Sequence, residues 1–212
     1  MNPRTLDHIA LWVADRDSIA DLVVERLGMH VIDRTDRFTL LGADARRGKV
    51  TLFEAEGPRE QGALKHVGLR VSRLPEGQTE IDAGEGLRFV LVEAPTDVEY
   101  DLDHVALYAR DPAGAAEGWE RLGLERVGDT RLEVGGAFVE LHPGDPGEPE
   151  RPLLNHLGVL VDSVDDHVAD AEELGIEVDD VVDAPNTLAL LVWGPERVKL
   201  EYVEHKPTFS LH

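Results

Sequence analysis

Four short segments of the chain share one pattern of apolar and polar positions. Apolar side chains alternate along each segment, as on one face of a strand. Each segment begins with a histidine that is followed two positions later by alanine or glycine. The four histidines are His8, His66, His104 and His156. A small residue beside a histidine leaves room for a group that is not protein, so the pattern predicts a repeated unit with an open, histidine-lined face.

The sequence after three of these strands repeats as well. An amphipathic helix is predicted after His8, His104 and His156, and each ends in a Leu-Gly pair, where glycine suits the left-handed position that closes a helix. Short strands complete each unit. The second unit is abbreviated, with a weak helical region at 74–84. The repeat predicts two domains of two units each, residues 1–97 and 98–212.

Composition and charge exclude several classes of function. The chain of 212 residues has 43 acidic and 21 basic residues, a formal net charge of −22, which repels phosphate backbones and makes a nucleic-acid partner improbable. It contains no cysteine, so thiolate metal sites and disulfides are excluded. With no signal peptide and no apolar run of membrane-spanning length, we expect a cytoplasmic location and no membrane partner.

Two glutamates occupy matching places at the last strands of the third and fourth units. If these two units pair face to face, Glu140 and Glu201 converge with His104 and His156. Two imidazoles and two carboxylates suit a divalent ion of Fe, Ni, Zn, Mn or Co. The alternative is that the histidines pack in the core and the glutamates are solvated. His142, two residues beyond Glu140, is a candidate acid or base, or a polar residue that opens a turn.

The N-terminal half offers a weaker metal set, consisting of His8, His66 and Glu93. Aligning the last strand of the first unit with that of the fourth puts Phe53 at the ligand place and Glu54 on the opposite face. We therefore expect about one tightly bound metal per chain, in the C-terminal half, and a structural or degenerate pocket in the N-terminal half.

The pattern resembles the vicinal oxygen chelate superfamily, which includes glyoxalase I, extradiol dioxygenases and bleomycin-resistance proteins. The resemblance implies an α+β fold of four βαβββ modules paired into two similar halves, each a curled mixed sheet around a cleft with helices outside. It also matches His104 and His156 to ligands on first strands, and Glu140 and Glu201 to ligands on last strands.

The same resemblance implies a metal-dependent enzyme that acts on a small molecule with two vicinal oxygens. The four-ligand set favours glyoxalase-type proton transfer (lyase, isomerase or epimerase), with Glu140 or Glu201 as the base. One alternative is an extradiol-type Fe(II) ring-cleaving dioxygenase that uses His104, His156 and Glu201. Another is a metal-free binding protein of the resistance type. A second copy of the chain is a candidate partner, as a homodimer.

Overall fold

The computed structural model of the chain describes residues 1–57, 59–74 and 79–212, and it contains the four predicted units. The first unit comprises β1 (Thr5–Val13), α1 (Arg16–Leu27), β2 (His30–Arg34), β3 (Phe38–Gly42) and β4 (Lys49–Glu54). The second comprises β5 (Leu64–Val71), β6 (Glu80–Gly84) and β7 (Leu87–Glu93). In its described residues the second unit has no helix. Of the weak helical region predicted at 74–84, residues 75–78 lie outside the described residues, and residues 80–84 form the strand β6.

The third and fourth units each contain a helix. The third comprises β8 (Asp101–Ala109), α2 (Pro112–Arg121), β9 (Glu125–Arg126), β10 (Arg131–Val134) and β11 (Ala137–Pro143). The fourth comprises β12 (Leu154–Leu160), α3 (Val164–Leu174), β13 (Val178–Asp183), β14 (Thr187–Trp193), a 3₁₀ turn (Pro195–Arg197) and β15 (Lys199–His205). None of the helices in the described ranges is long and apolar enough to cross a membrane.

The strands form two mixed sheets of similar design. One has the order β13-β14-β15-β12-β1-β4-β3-β2, and the other has the order β6-β7-β5-β8-β11-β10-β9. In the middle of each sheet two first strands pair antiparallel, β1 with β12 and β5 with β8. Two similar halves of α+β type are thus confirmed.

The pairing of the units differs from the sequence-based expectation. The first unit shares a sheet with the fourth, and the second shares a sheet with the third, so the predicted pairing of the third unit with the fourth is wrong. Units two and three, which are joined through residues 94–100, lie side by side in one sheet, and units one and four pair in the other. The boundary predicted near residue 97 lies in that connection, between strands of one sheet, and each sheet combines strands from 1–97 and 98–212.

The apolar face of each sheet is covered by helices, as the alternation predicts. Ile9, Leu11 and Val13 of β1 are fully buried, α1 packs on β3 and β4, and α3 packs on β14 and β15. Caps fix the ends of these helices: the Ser163 side chain accepts a hydrogen bond from Asp166 N at the start of α3, and Gly175, at φ 62°, closes it. The opposite face of each sheet carries the histidines.

Candidate metal centre

The first and fourth units bring three potential ligands together on the histidine face of the eight-stranded sheet. His8 on β1 and His156 on β12 lie on adjacent antiparallel strands, since His8 is opposite Gly158 and Ala10 is opposite His156. Glu201 on β15 is the partner of Gly158 in the next, parallel pair of strands. The cluster therefore draws on both halves of the sequence.

The small residue beside each histidine is needed because the neighbouring strand's imidazole lies over it. A Cβ atom added to Gly158 would lie 2.2 Å from His8 Cε1. In the other sheet, a Cβ atom added to Gly68 would lie 2.2 Å from His104 Nδ1. The sequence pattern predicted room here for a group that is not protein, but in both sheets the imidazole of the adjacent strand fills the space.

The three ligand atoms lie close to one another. His8 Nε2 is 3.0 Å from His156 Nε2 and 2.9 Å from Glu201 Oε2, and His156 Nε2 is 3.2 Å from the same oxygen. Both histidines are buried, and the Glu201 side chain is 14% exposed. Among the described residues, this is the one group of three or more His, Asp or Glu side chains close enough to hold a metal ion.

Hydrogen bonds to the other ring nitrogens orient both imidazoles. His8 Nδ1 lies 2.9 Å from Asp7 Oδ2, and because a carboxylate only accepts, Nδ1–H donates. Lys49 Nζ holds the same carboxylate, at 2.7 and 2.9 Å from its oxygens. His156 Nδ1 donates to Asn155 Oδ1 at 3.1 Å. The Nε2 atom of each ring thus points its lone pair towards the Glu201 carboxylate. Because lone pairs and a carboxylate repel one another, a proton or a metal ion is required between the two rings and Glu201.

The electrostatics of the metal-free cluster reflect this requirement. Burial opposes a charge on His8, but Glu201 and Asp7 outweigh it and raise the pKa of His8 to about 9. Burial also opposes charge on Glu201, yet the imidazoles of His156 and His8 hold the pKa of its carboxyl well below the usual range. Burial lowers the pKa of His156. One proton on His8 therefore neutralises the carboxylate when no metal is bound.

The residues present fit a divalent metal. Bonds from Zn to imidazole nitrogen and carboxylate oxygen are roughly 2.0–2.2 Å long, which places neighbouring ligand atoms about 3 Å apart when they are nearly perpendicular. The separations of 2.9 to 3.2 Å match that spacing. Neutral imidazole and anionic carboxylate are also the ligand types that Fe, Ni, Zn, Mn and Co accept. His8, His156 and Glu201 are the residues that would hold the ion.

A threonine occupies the place of a second carboxylate. Lys49 is opposite His8 and Thr51 is opposite Ala10, just as Lys199 is opposite His156 and Glu201 is opposite Gly158. Thr51, and not Phe53, is therefore the counterpart of Glu201, which corrects the predicted register. A shift of two residues keeps every side chain on its face of the strand, so the alternation of apolar and polar positions could not detect the error.

The other predicted ligands lie in the second sheet. His66 Nε2 and His104 Nε2 are 2.9 Å apart, but Glu140 Oε2 contacts His142 Nε2 at 3.1 Å, and His142 Nδ1 lies 3.1 Å from Lys65 Nζ. His104 and Glu140 are thus not brought to His156 and Glu201. The predicted catalytic residues Glu140 and His142 share this second sheet, on β11.

Aromatic and apolar side chains lie around the pair of His66 and His104 in the seven-stranded sheet. Val90 takes the place of a carboxylate in the second unit, since it is opposite Gly68. Phe138 stacks on His104 at 4.9 Å between ring centroids, and the Arg131 guanidinium lies 3.3 Å from the Phe138 ring centre. Glu93, from the weaker predicted set, accepts a hydrogen bond from Leu74 N at 3.0 Å. Burial and the positive charges of neighbouring groups lower the pKa of His66 to about 4.

A cavity of about 350 Å³ opens onto the His8, His156 and Glu201 cluster. Its larger apolar lining residues include Phe38, Leu40, Phe53, Val203, Phe209 and Leu211. His205 also lines it, with Nε2 3.2 Å from Asp7 Oδ1. His205 was missing from the predicted site residues, although it follows Glu201 and Val203 on the same face of β15 and the two-residue period of the strand points to it.

Comparison with known proteins supports the fold. Residues 5–96 match the model of the Glyoxalase/Bleomycin resistance protein/Dioxygenase superfamily. Similar solved structures include a protein from Bacillus subtilis described as a proposed dioxygenase (TM-score 0.74, 18% identity, 98% of this chain and 87% of that one) and glyoxalase I from Zea mays (TM-score 0.68, 18% identity, 94% and 92%). At such identities the likeness shows the fold alone. No curated protein matches the sequence.

Proposed function

We propose that this chain is a metal-dependent enzyme acting on a small molecule with two vicinal oxygens, and that its reaction is of the O₂-consuming, extradiol dioxygenase type. The match of residues 5–96 to the model of the Glyoxalase/Bleomycin resistance protein/Dioxygenase superfamily supports the proposal. One observation carries the proposal. The cluster offers two histidines and one carboxylate, with Thr51 where a fourth ligand would stand. This ligand set, with open positions, is typical of non-haem Fe(II) oxygenases.

Each side chain of the cluster has a defined part in this proposal. When bound, the ion supplies a Lewis-acid centre with open coordination positions. His8 and His156 donate their Nε2 lone pairs, and Glu201 contributes the negative charge. The ion pair of Asp7 with Lys49 holds His8 in the required tautomer, and Asn155 does the same for His156.

His205 is the group in the cavity lining best suited to move a proton at the substrate. It faces the same cavity as the cluster and has a ring nitrogen near Asp7. An imidazole ring has one nitrogen that can donate a proton and one that can accept it. We assign His205 the role of acid or base, in place of His142.

Glyoxalase-type proton transfer is the second candidate. With four ligands, one glutamate could have left the metal to act as the base, but the cluster contains a single carboxylate. His205 keeps this candidate open because its ring could take the proton that a second glutamate would have taken.

Metal analysis of protein purified without chelator tests the metal centre. We expect about one divalent ion per chain, lost in His156→Ala and retained in His104→Ala. The two histidines are matched, since each lies on a first strand, contacts a second histidine and is equally buried. Retention of metal in His156→Ala, or its loss in His104→Ala, would place the site in the other sheet.

The reaction is tested on protein loaded anaerobically with Fe(II). The proposal expects O₂ uptake with catechol as the probe, in a one-to-one ratio with a ring-cleaved product, and none from metal-free protein. The second candidate expects no O₂ uptake and instead proton exchange with solvent on the hemithioacetal of methylglyoxal. A metal-loaded protein that gives neither result would contradict both reactions.

A further inference from the structure

The outer wall of the cavity is formed by the segment that follows β15. Phe209 stacks on His205 with 4.3 Å between ring centroids and 22° between ring planes. The Arg46 guanidinium, from the β3–β4 connection, lies 4.9 Å from the centre of the Phe209 ring. Phe209 and Leu211 both line the cavity that contains the metal cluster.

Hydrogen bonds hold this segment in place on the β13–β14 turn. Lys206 N donates to Asn186 O at 2.9 Å, and Phe209 N donates to Lys206 O at 2.9 Å. Ser210 N and Oγ lie 3.1 and 3.3 Å from Asn186 Oδ1. Phe209 is therefore positioned from both sides and presents a fixed aromatic surface to the cavity.

Apart from an ion held by the cluster, the cavity has no free positive charge among the lining residues that the structure describes. Lys49 is the one lysine or arginine in that lining, and its ammonium is paired with both oxygens of Asp7. Asp33 and Glu201 add negative charge. A carboxylate or phosphate on the part of a ligand that lies away from the ion would lose its water here without gaining an ion pair, which is unfavourable.

We propose, building on the proposed metal-dependent function, that this cavity selects uncharged substrates whose vicinal oxygens are attached to a ring-sized apolar body, and that Phe209 determines this specificity. The vicinal oxygens face the cluster of His8, His156 and Glu201. The apolar body lies against Phe209, Phe38 and Phe53. A volume of about 350 Å³ is near the lower end of small-molecule sites, which suits one ring and small substituents.

The experiment measures the binding of three bidentate oxygen chelators to the metal-loaded protein by calorimetry. The probes are benzohydroxamate, which has an apolar ring, 4-carboxybenzohydroxamate, which adds a negative charge, and acetohydroxamate, which has no ring. We expect benzohydroxamate to bind about tenfold tighter than either of the others. Phe209→Ala should remove about tenfold of the benzohydroxamate affinity, leave acetohydroxamate unchanged and leave the metal content at the wild-type level, and Phe209→Leu should restore part of the loss.

The possible failures are distinct. If the protein holds no metal, the proposed function falls and this inference falls with it. If metal is bound but 4-carboxybenzohydroxamate binds as well as benzohydroxamate, the substrate class is wrong and the proposed function stands. If Phe209→Ala binds all three probes like the wild type, Phe209 does not determine specificity. The control variant Val127→Leu changes an exposed residue outside the lining and should behave like the wild type.

Discussion

At the scale of single residues, the ligand set depends on one position in the last strand of each unit. This is the position opposite the small residue that follows the histidine of the first strand. Glu201 and Thr51 occupy equivalent places, opposite Gly158 and Ala10, yet one is a metal ligand type and the other is not. The pattern of the sequence locates both positions on the correct face. It does not show which of two positions on that face meets the histidine, because both have the same orientation.

Thr51→Glu tests this register by adding the missing carboxylate. The new side chain would line the same cavity as Glu201, so we expect about tenfold tighter metal binding and at least a tenfold loss of O₂ uptake, since a fourth ligand fills an open position. Competition titration against a metal chelator and an oxygen electrode measure the two effects. Thr51→Ser is the control and should retain both properties. Unchanged metal affinity in Thr51→Glu would mean that Thr51 does not face the metal.

At the scale of strands and helices, much of the fold could be predicted. The repeat, the covered apolar faces, the Leu-Gly helix ends of α1 and α3 and the abbreviated second unit follow from periodicity and from the conformational freedom of glycine. The partner of each first strand could not be predicted in this way. All four first strands carry the same pattern, so β12 fits beside β1 or beside β8 equally well in the sequence.

The glycine on β12 offers a test of how strand pairing builds the cluster. In Gly158→Ala the new methyl group would lie 2.2 Å from His8 Cε1, so His8 must move and metal binding should be lost. Gly68→Ala creates an equally close contact with His104 in the other sheet and is the matched control. Both variants should lose about 1–3 kcal/mol of stability from overpacking, measured by denaturant unfolding. Metal loss in both, or in neither, would contradict the assignment of the site to the first sheet.

At the scale of the whole molecule, the two sheets tie together parts of the chain that are far apart in sequence. The eight-stranded sheet needs β12 to β15 beside β1 to β4, and the seven-stranded sheet joins units on both sides of residue 97. The candidate metal cluster is made in the same way, with His8 from one half and His156 and Glu201 from the other. Neither half of the sequence therefore contains a complete site.

An experiment in which the chain is split at residue 97 distinguishes this arrangement from one in which units three and four form a site by themselves. Without the other half, both first strands of each fragment lose their antiparallel partner and expose one edge: β1 and β5 in residues 1–97, and β8 and β12 in residues 98–212. We therefore expect neither fragment alone to bind metal tightly. Mixed or co-expressed fragments should restore both pairings and about one metal ion per complex, measured by metal analysis after size-exclusion chromatography. His8→Ala in the first fragment should abolish metal binding by the complex, and the control His66→Ala should not.

If residues 98–212 alone held one ion, His104, Glu140, His156 and Glu201 would have converged within that fragment. The pairing of the first unit with the fourth would then not be what creates the site.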